Sequence, residues 1–214
     1  MKGVYLVTDR GLLMNNSLED VVMAAVKAGA CCVQLREKDI STRDFLDVAQ
    51  RMKKLMTPYE VPLVINDRVD IAMAIDADGI HIGMSDMPYE TARDMMKPDA
   101  IIGLSVETWE DVESAQKLDV DYIGVSPVFS TPTKTDTKTP WGLDGLSKIK
   151  AYSKHPLVAI GGINQSNIES VLKAGADSVA VVSAICSADD PYASASLLAG
   201  YFRSIGQDKK HLNG

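Results

Sequence analysis

The feature that most constrains this chain is the regular return of short apolar runs. Eight of them, at residues 4–8, 31–35, 62–65, 79–82, 101–106, 122–128, 157–160 and 178–182, are rich in Val, Ile and Leu. Each is nearly continuous rather than alternating, the pattern of parallel strands covered on both faces. Between the runs the spacing turns helical. Leu18, Val21, Val22, Ala25 and Val26 follow an i, i+3, i+4 rhythm, and Phe45, Val48, Ala49, Met52 and Leu55 repeat it. Ile168, Val171 and Leu172 do the same, as do Leu197, Leu198, Tyr201 and Phe202. Eight strand–helix units in 214 residues predict an α/β fold, a closed (β/α)8 TIM barrel forming a single domain over residues 1–214. An open doubly wound sheet competes, but usually needs fewer strands at this length. The phrases Lys27-Ala28-Gly29-Ala30-Cys31 and Lys173-Ala174-Gly175-Ala176-Asp177 are near copies. Their recurrence points to repeated βα units, with a Gly placed to close each helix.

Composition narrows the partners. Lys and Arg number 22 against 29 Asp and Glu, a formal charge of −7. That balance argues against nucleic acid or an anionic membrane as partner, while leaving room for a local cationic pocket. Three Cys, two of them adjacent at 31 and 32, make no disulfide framework and fit a reducing compartment. No run approaches the roughly 18 apolar residues of a membrane span. The expectation is a soluble, cytoplasmic protein with small-molecule partners. Whether it forms a homo-oligomer is not legible in the sequence.

In such a barrel the chemistry gathers where strands end and βα loops begin, and polar residues cluster there. The first run ends in Thr8-Asp9-Arg10, the second in Gln34-Leu35-Arg36-Glu37-Lys38, the third in Asn66-Asp67-Arg68. The fourth runs on to Asp86, and the fifth reaches Ser105. Gly161 and Gly162 after the seventh, with Val182 and Ser183 at the end of the eighth, offer backbone N–H groups to a phosphate. A tight turn that merely needs Gly is the plainer alternative. Asp67 and Asp86 form either a site for a hard cation such as Mg2+ or a pair of helix N-caps. His81 reads as a packed residue, and Cys186 lacks an activating partner. The polar stretch from Phe129 to Pro140 is long for a βα connection, so it is a lid or a bland surface loop. Arg36 and Lys38 directly after a buried strand, with Lys134 in the loop, add positive charge. These residues describe a barrel enzyme for phosphorylated ligands, working with Mg2+. They do not identify the reaction.

Taken in order, Gln34-Leu35-Arg36-Glu37-Lys38, Asn66-Asp67, Gly79-Ile80-His81-Ile82-Gly83 with Asp86, Thr131-Pro132-Thr133-Lys134 and Gly161-Gly162-Ile163 resemble the thiamine-phosphate synthase (thiamine phosphate pyrophosphorylase) family. The resemblance runs from Tyr5 to Ile185. It implies a transferase of thiamine biosynthesis that joins an aminopyrimidine diphosphate to a thiazole phosphate. By that likeness Gln34, Leu35, Arg36, Glu37, Lys38, Asn66, Ser105 and Lys134 hold the pyrimidine diphosphate. Arg36, Lys38, Ser105 and Lys134 are the implied catalytic groups, and Asp67 and Asp86 bind Mg2+. Thr131, Pro132, Thr133, Gly162, Val182 and Ser183 hold the thiazole phosphate. The implied mechanism is dissociative, through a pyrimidine methyl cation, and needs no protein nucleophile. Arg68 stands where some members carry a second acidic residue. A thiazole tautomerase shares the fold but has no diphosphate for Arg36, Lys38, Asp67, Asp86 and Lys134 to meet; a non-catalytic ligand-binding regulator on the same barrel is separated from both enzymes by turnover of the purified protein.

Overall fold

The computed structural model describes residues 2–131 and 138–211, with side chains as far as Arg203. All eight runs are strands. The order is β1 (Gly3–Val7), α1 (Leu18–Ala28), β2 (Cys32–Leu35), α2 (Thr42–Met56), β3 (Leu63–Asn66), α3 (Val69–Ala74), β4 (Gly79–Ile82) and α4 (Tyr89–Met95). It continues with β5 (Ile101–Val106), α5 (Trp109–Ala115), β6 (Tyr122–Val125), α6 (Gly142–Tyr152), β7 (Leu157–Ile160), α7 (Ile168–Lys173), β8 (Ser178–Val181), α8 (Ser183–Cys186) and α9 (Pro191–His211). Each strand pairs in parallel with the next. β8 pairs with β1, Gly3 opposite Ser178 and Leu6 opposite Val181, which closes the barrel. No helix among the described residues is long and apolar enough to cross a membrane.

Side chains on a strand alternate between faces, and here both faces are buried. Outward residues such as Leu6, Val33, Ile65, Ile80, Ile102 and Ile123 pack against the helices in one large core. Inward residues Tyr5, Val7, Cys32, Val64, Tyr122, Val158 and Ala180 form a second cluster inside the barrel. Tyr122 fits there because its neighbour across the β5–β6 ladder is Gly103. A Cβ on Gly103 would overlap the Tyr122 ring.

The helices carry their own start and stop signals. Ser17 and Ser41 accept from the N–H groups of Asp20 and Asp44, each at 3.1 Å, and Thr108 and Asp111 cap α5 reciprocally. Gly29 ends α1 at φ 102, and Gly175 follows α7 at φ 109, so the two repeated phrases take the same turn. The repetition goes further on this face of the barrel. Asp78, Asp121 and Asp177 stand immediately before β4, β6 and β8. Their Oδ2 atoms accept from the N–H groups of Leu63, Ile102 and Leu157 at 2.9, 2.8 and 2.9 Å, stitching each strand to the one before it. Cys31 holds the corresponding place before β2.

Candidate active site

A cavity of about 550 Å3 opens at the C-terminal ends of the strands, within the usual range for a small-molecule site. Its floor is the barrel interior: Tyr5, Gln34, Asn66, His81, Ser105 and Tyr122. Its wall carries Arg36, Lys38, Asp67, Asp86, Glu107 and Lys138. Most residues picked out in the sequence at the ends of β2, β3, β4 and β5 therefore converge.

Local geometry aims them. The Arg36 N–H donates to Thr8 Oγ1 at 3.0 Å, tying the end of β2 to β1, and the guanidinium lies 3.8 Å from Asp9. Lys38 Nζ reaches Asp67 Oδ2 at 2.5 Å. Asp67 itself is left-handed, φ 60, a conformation that Asp tolerates better than most residues. Its N–H is held by the His81 carbonyl of β4 at 2.8 Å. Asp86 Oδ2 accepts from the Gly83 N–H at 2.7 Å, folding the loop after β4 back on itself. Neither aspartate caps a helix: Arg68 and Pro88 occupy those positions without side-chain capping bonds. The N-cap alternative is not realised.

Burial raises the proton affinity of Asp86, and the neighbouring Asp67 carboxylate raises it further, against the lowering effect of the Gly83 N–H and Lys38. A raised carboxyl stabilises the fold below the ordinary Asp range, and that contribution is lost as pH rises through its folded value. At neutral pH, without a cation, Asp86 is thus a small cost to stability. Asp86→Asn is expected to raise the cation-free thermal midpoint by roughly 1–2 °C at pH 7, the gain being well under about 1 kcal/mol after solvent screening. Thermal melts between pH 3 and 8 check this: the difference should vanish at the acid end.

Other residues are placed differently. Leu35 is buried in the outer core, and Glu37 is clasped by Arg10 through bonds of 2.9 and 3.1 Å. Both side chains turn away from the cavity, so any part they play in holding substrate falls to the backbone of this segment. Arg68 pairs with Asp70 at 2.6 and 2.8 Å and with Thr42. Val182 lines the cavity. Gly162, φ 65, and the exposed Ser183 stand beside it at the ends of β7 and β8. Their N–H groups have no acceptor among the described residues. A Cβ on Gly162 would meet the Ser130 carbonyl at 2.8 Å, so the backbone comes close only because that residue is Gly. Thr131 is described but is not part of the cavity wall. Pro132, Thr133 and Lys134 lie outside the described residues. Cys186 is buried with its thiol pushed up to about 11, an inert group.

The sequence reading misses the aromatic floor. His81 is packed as expected, its ring against Tyr122 at 5.6 Å, yet it also faces the cavity. Its ring nitrogens bond Ser105 Oγ at 2.8 Å and the Tyr122 hydroxyl at 3.0 Å. Tyr5 and Tyr122 read as core in apolar runs. The available signal is strand alternation, which puts Tyr5, Gln34, Asn66, His81, Ser105 and Tyr122 on the inward face.

Fold and cavity define a class: a (β/α)8 barrel with a small-molecule cavity at its mouth, where Arg36, Lys38 and Lys138 stand among carboxylates above a polar floor. The comparisons with known proteins carry this further. The family model described as thiamine monophosphate synthase matches residues 4–185. A thiamine-phosphate synthase from Albidiferax ferrireducens is 56% identical over 188 residues, covering 88% of this chain and 86% of that protein. One from Leptospira biflexa is 52% identical over 195 residues, covering 89% and 93%. The solved thiamine phosphate pyrophosphorylase of Pyrococcus furiosus superposes with a TM-score of 0.86 at 37% identity, covering 95% and 96%. The chain belongs to the thiamine monophosphate synthase family.

Proposed function

We propose that the chain couples an aminopyrimidine diphosphate to thiazole phosphate, giving thiamine monophosphate and diphosphate. The observation that carries this is the meeting of Arg36, Lys38, Asp67 and Asp86 on one wall above a polar floor. A thiazole tautomerase has no diphosphate for that wall to hold, and turnover separates the enzyme from a silent regulator.

The donor set fits Mg2+. Two carboxylates stand close enough for Asp67 to raise the proton affinity of Asp86, a repulsion that a divalent cation relieves. Asp67 and Asp86 would hold the ion by their carboxylates and share it with the diphosphate. When bound there, Mg2+ supplies positive charge that favours departure of the diphosphate. Arg36 and Lys38 grip the same group through charge-assisted hydrogen bonds. The C–O bond breaks with its electron pair leaving on the diphosphate, and the pyrimidine methyl cation remains. The lone pair of the thiazole nitrogen then forms the new C–N bond. Gln34, Asn66 and Ser105 hold the ring on the floor, where burial raises the phenols of Tyr5 and Tyr122 and keeps them protonated. The N–H groups of Gly162 and Ser183, beside Val182, receive the thiazole phosphate. Lys134 would add charge for the diphosphate, and the hydroxyls of Thr131 and Thr133 would donate to the thiazole phosphate. Three free thiols support a reducing, cytoplasmic setting.

Incubation with both substrates and Mg2+ should yield thiamine phosphate and diphosphate in step. Arg36→Ala should weaken binding of the pyrimidine diphosphate by roughly 10- to 150-fold, the worth of a charge-assisted hydrogen bond. The neutral pyrimidine alcohol should bind poorly to either protein. Interconversion of thiazole tautomers with indifference to the pyrimidine diphosphate would overturn the assignment.

A further inference from the structure

Below the charged wall, the floor holds a continuous chain of hydrogen bonds that gripping a diphosphate does not require. Gln34 Nε2 donates to the Tyr5 hydroxyl at 2.9 Å. That hydroxyl meets the Tyr122 hydroxyl at 2.8 Å, which meets His81 Nδ1 at 3.0 Å. His81 Nε2 reaches Ser105 Oγ at 2.8 Å. Five residues from β2, β1, β6, β4 and β5 are thus joined across the barrel.

A hydroxyl has one hydrogen to give, and an amide –NH2 can only donate. Both facts orient the chain. Because Gln34 donates to Tyr5, the Tyr5 hydrogen is free for Tyr122. Tyr122 then passes its own to His81 Nδ1, which in a neutral imidazole leaves the ring proton on Nε2, pointing at Ser105. Ser105 accepts it, and its hydroxyl hydrogen is left for the cavity. The reverse order would leave the Tyr5 hydroxyl accepting twice, with only the Cys32 sulfur, a weak acceptor, for its hydrogen. In a buried site that loss is costly. Burial also holds both phenols well above their usual range, so they remain neutral carriers.

We propose that Gln34 sets the direction of this chain, and that Tyr5, Tyr122 and His81 are positioning residues that make Ser105 a hydrogen-bond donor to the substrate. The assignment rests on the reading that Ser105 touches the pyrimidine. Given that, the ring atom facing Ser105 is an acceptor, an unprotonated ring nitrogen, and the floor selects for a ring that presents one there.

The ligand-free protein tests the relay directly. The chain has three His, so 15N-histidine labelling with His81→Gln as the assignment control isolates the His81 ring by NMR. The proton is expected on Nε2. A proton on Nδ1, or an even mixture, would overturn the proposal. Tyr5→Phe frees Tyr122 to donate or accept and should populate the Nδ1–H form; an unchanged tautomer would show that Gln34 does not set the direction. Tyr122→Phe should raise KM for the pyrimidine diphosphate roughly fivefold, the worth of one neutral hydrogen bond, with KM for thiazole phosphate unchanged. Equal changes in both constants, or none, would overturn a positioning role. A protein that ignores the pyrimidine diphosphate altogether would refute the coupling function and with it the target of Ser105, whereas the tautomer reports on the relay separately.

Discussion

Asp67→Asn and Asp86→Asn are each expected to lower kcat/KM by about two orders of magnitude or more, with the barrel intact. Removing the charge at either position takes away half of the acidic pair that fits Mg2+, and a bound divalent ion contributes several kcal/mol at a departing diphosphate. Asn preserves shape in both places. It tolerates the left-handed backbone at position 67, and its carbonyl can still accept from the Gly83 N–H at position 86. Steady-state kinetics across a Mg2+ titration, beside thermal melts, separate lost metal from lost fold. Chelation of the unmodified protein should reproduce the defect and readdition should repair it. Full turnover in excess chelator would remove the metal from the scheme.

Gly103→Ala should be a damaging small change in the interior. Its Cβ would run into the buried Tyr122 ring, bounded by Tyr5 and His81. Overpacking of this kind costs about 1–3 kcal/mol, so the thermal midpoint should fall by roughly 2–12 °C. The ring can yield only by carrying its hydroxyl away from His81 and Tyr5. Activity at a temperature where the variant is fully folded should therefore fall as well, with KM for the pyrimidine diphosphate rising. An unshifted melting curve would show that the ring has room that the packing does not reveal.

The barrel is legible in the sequence because parallel strands buried on both faces leave continuous apolar runs, and all eight runs are strands. Boundaries drift where the backbone, not the side chains, decides. The run at 122–128 outlasts β6 because Pro127 has no N–H for the ladder. At the site, charge directly after a buried strand marks Arg36 and Lys38, and they line the cavity. The same argument picks out Glu37, which is instead satisfied by Arg10, since sequence cannot say which of two adjacent side chains faces inward at a strand end. Asp67 and Asp86 are ambiguous in one dimension because a cap and a cation site use the same residue type. In the fold neither caps a helix, because Arg68 and Pro88 take those positions. The Tyr5–Tyr122–His81 floor is hidden for the opposite reason: aromatic residues inside apolar runs look like ordinary core until strand pairing brings their hydroxyls together.

The three aspartate stitches lie before β4, β6 and β8, at the end of the barrel remote from the cavity. Each joins two neighbouring staves, β3 to β4, β5 to β6 and β7 to β8. Structural duty and chemical duty consequently occupy opposite poles. Loops at the mouth can be exchanged, lengthened or re-charged through evolutionary drift without loosening the staves, and a stitch can be altered without touching a substrate. Such a scaffold can change its chemistry while keeping its shape, and the exposed end of each strand is the place where new activities can be tried.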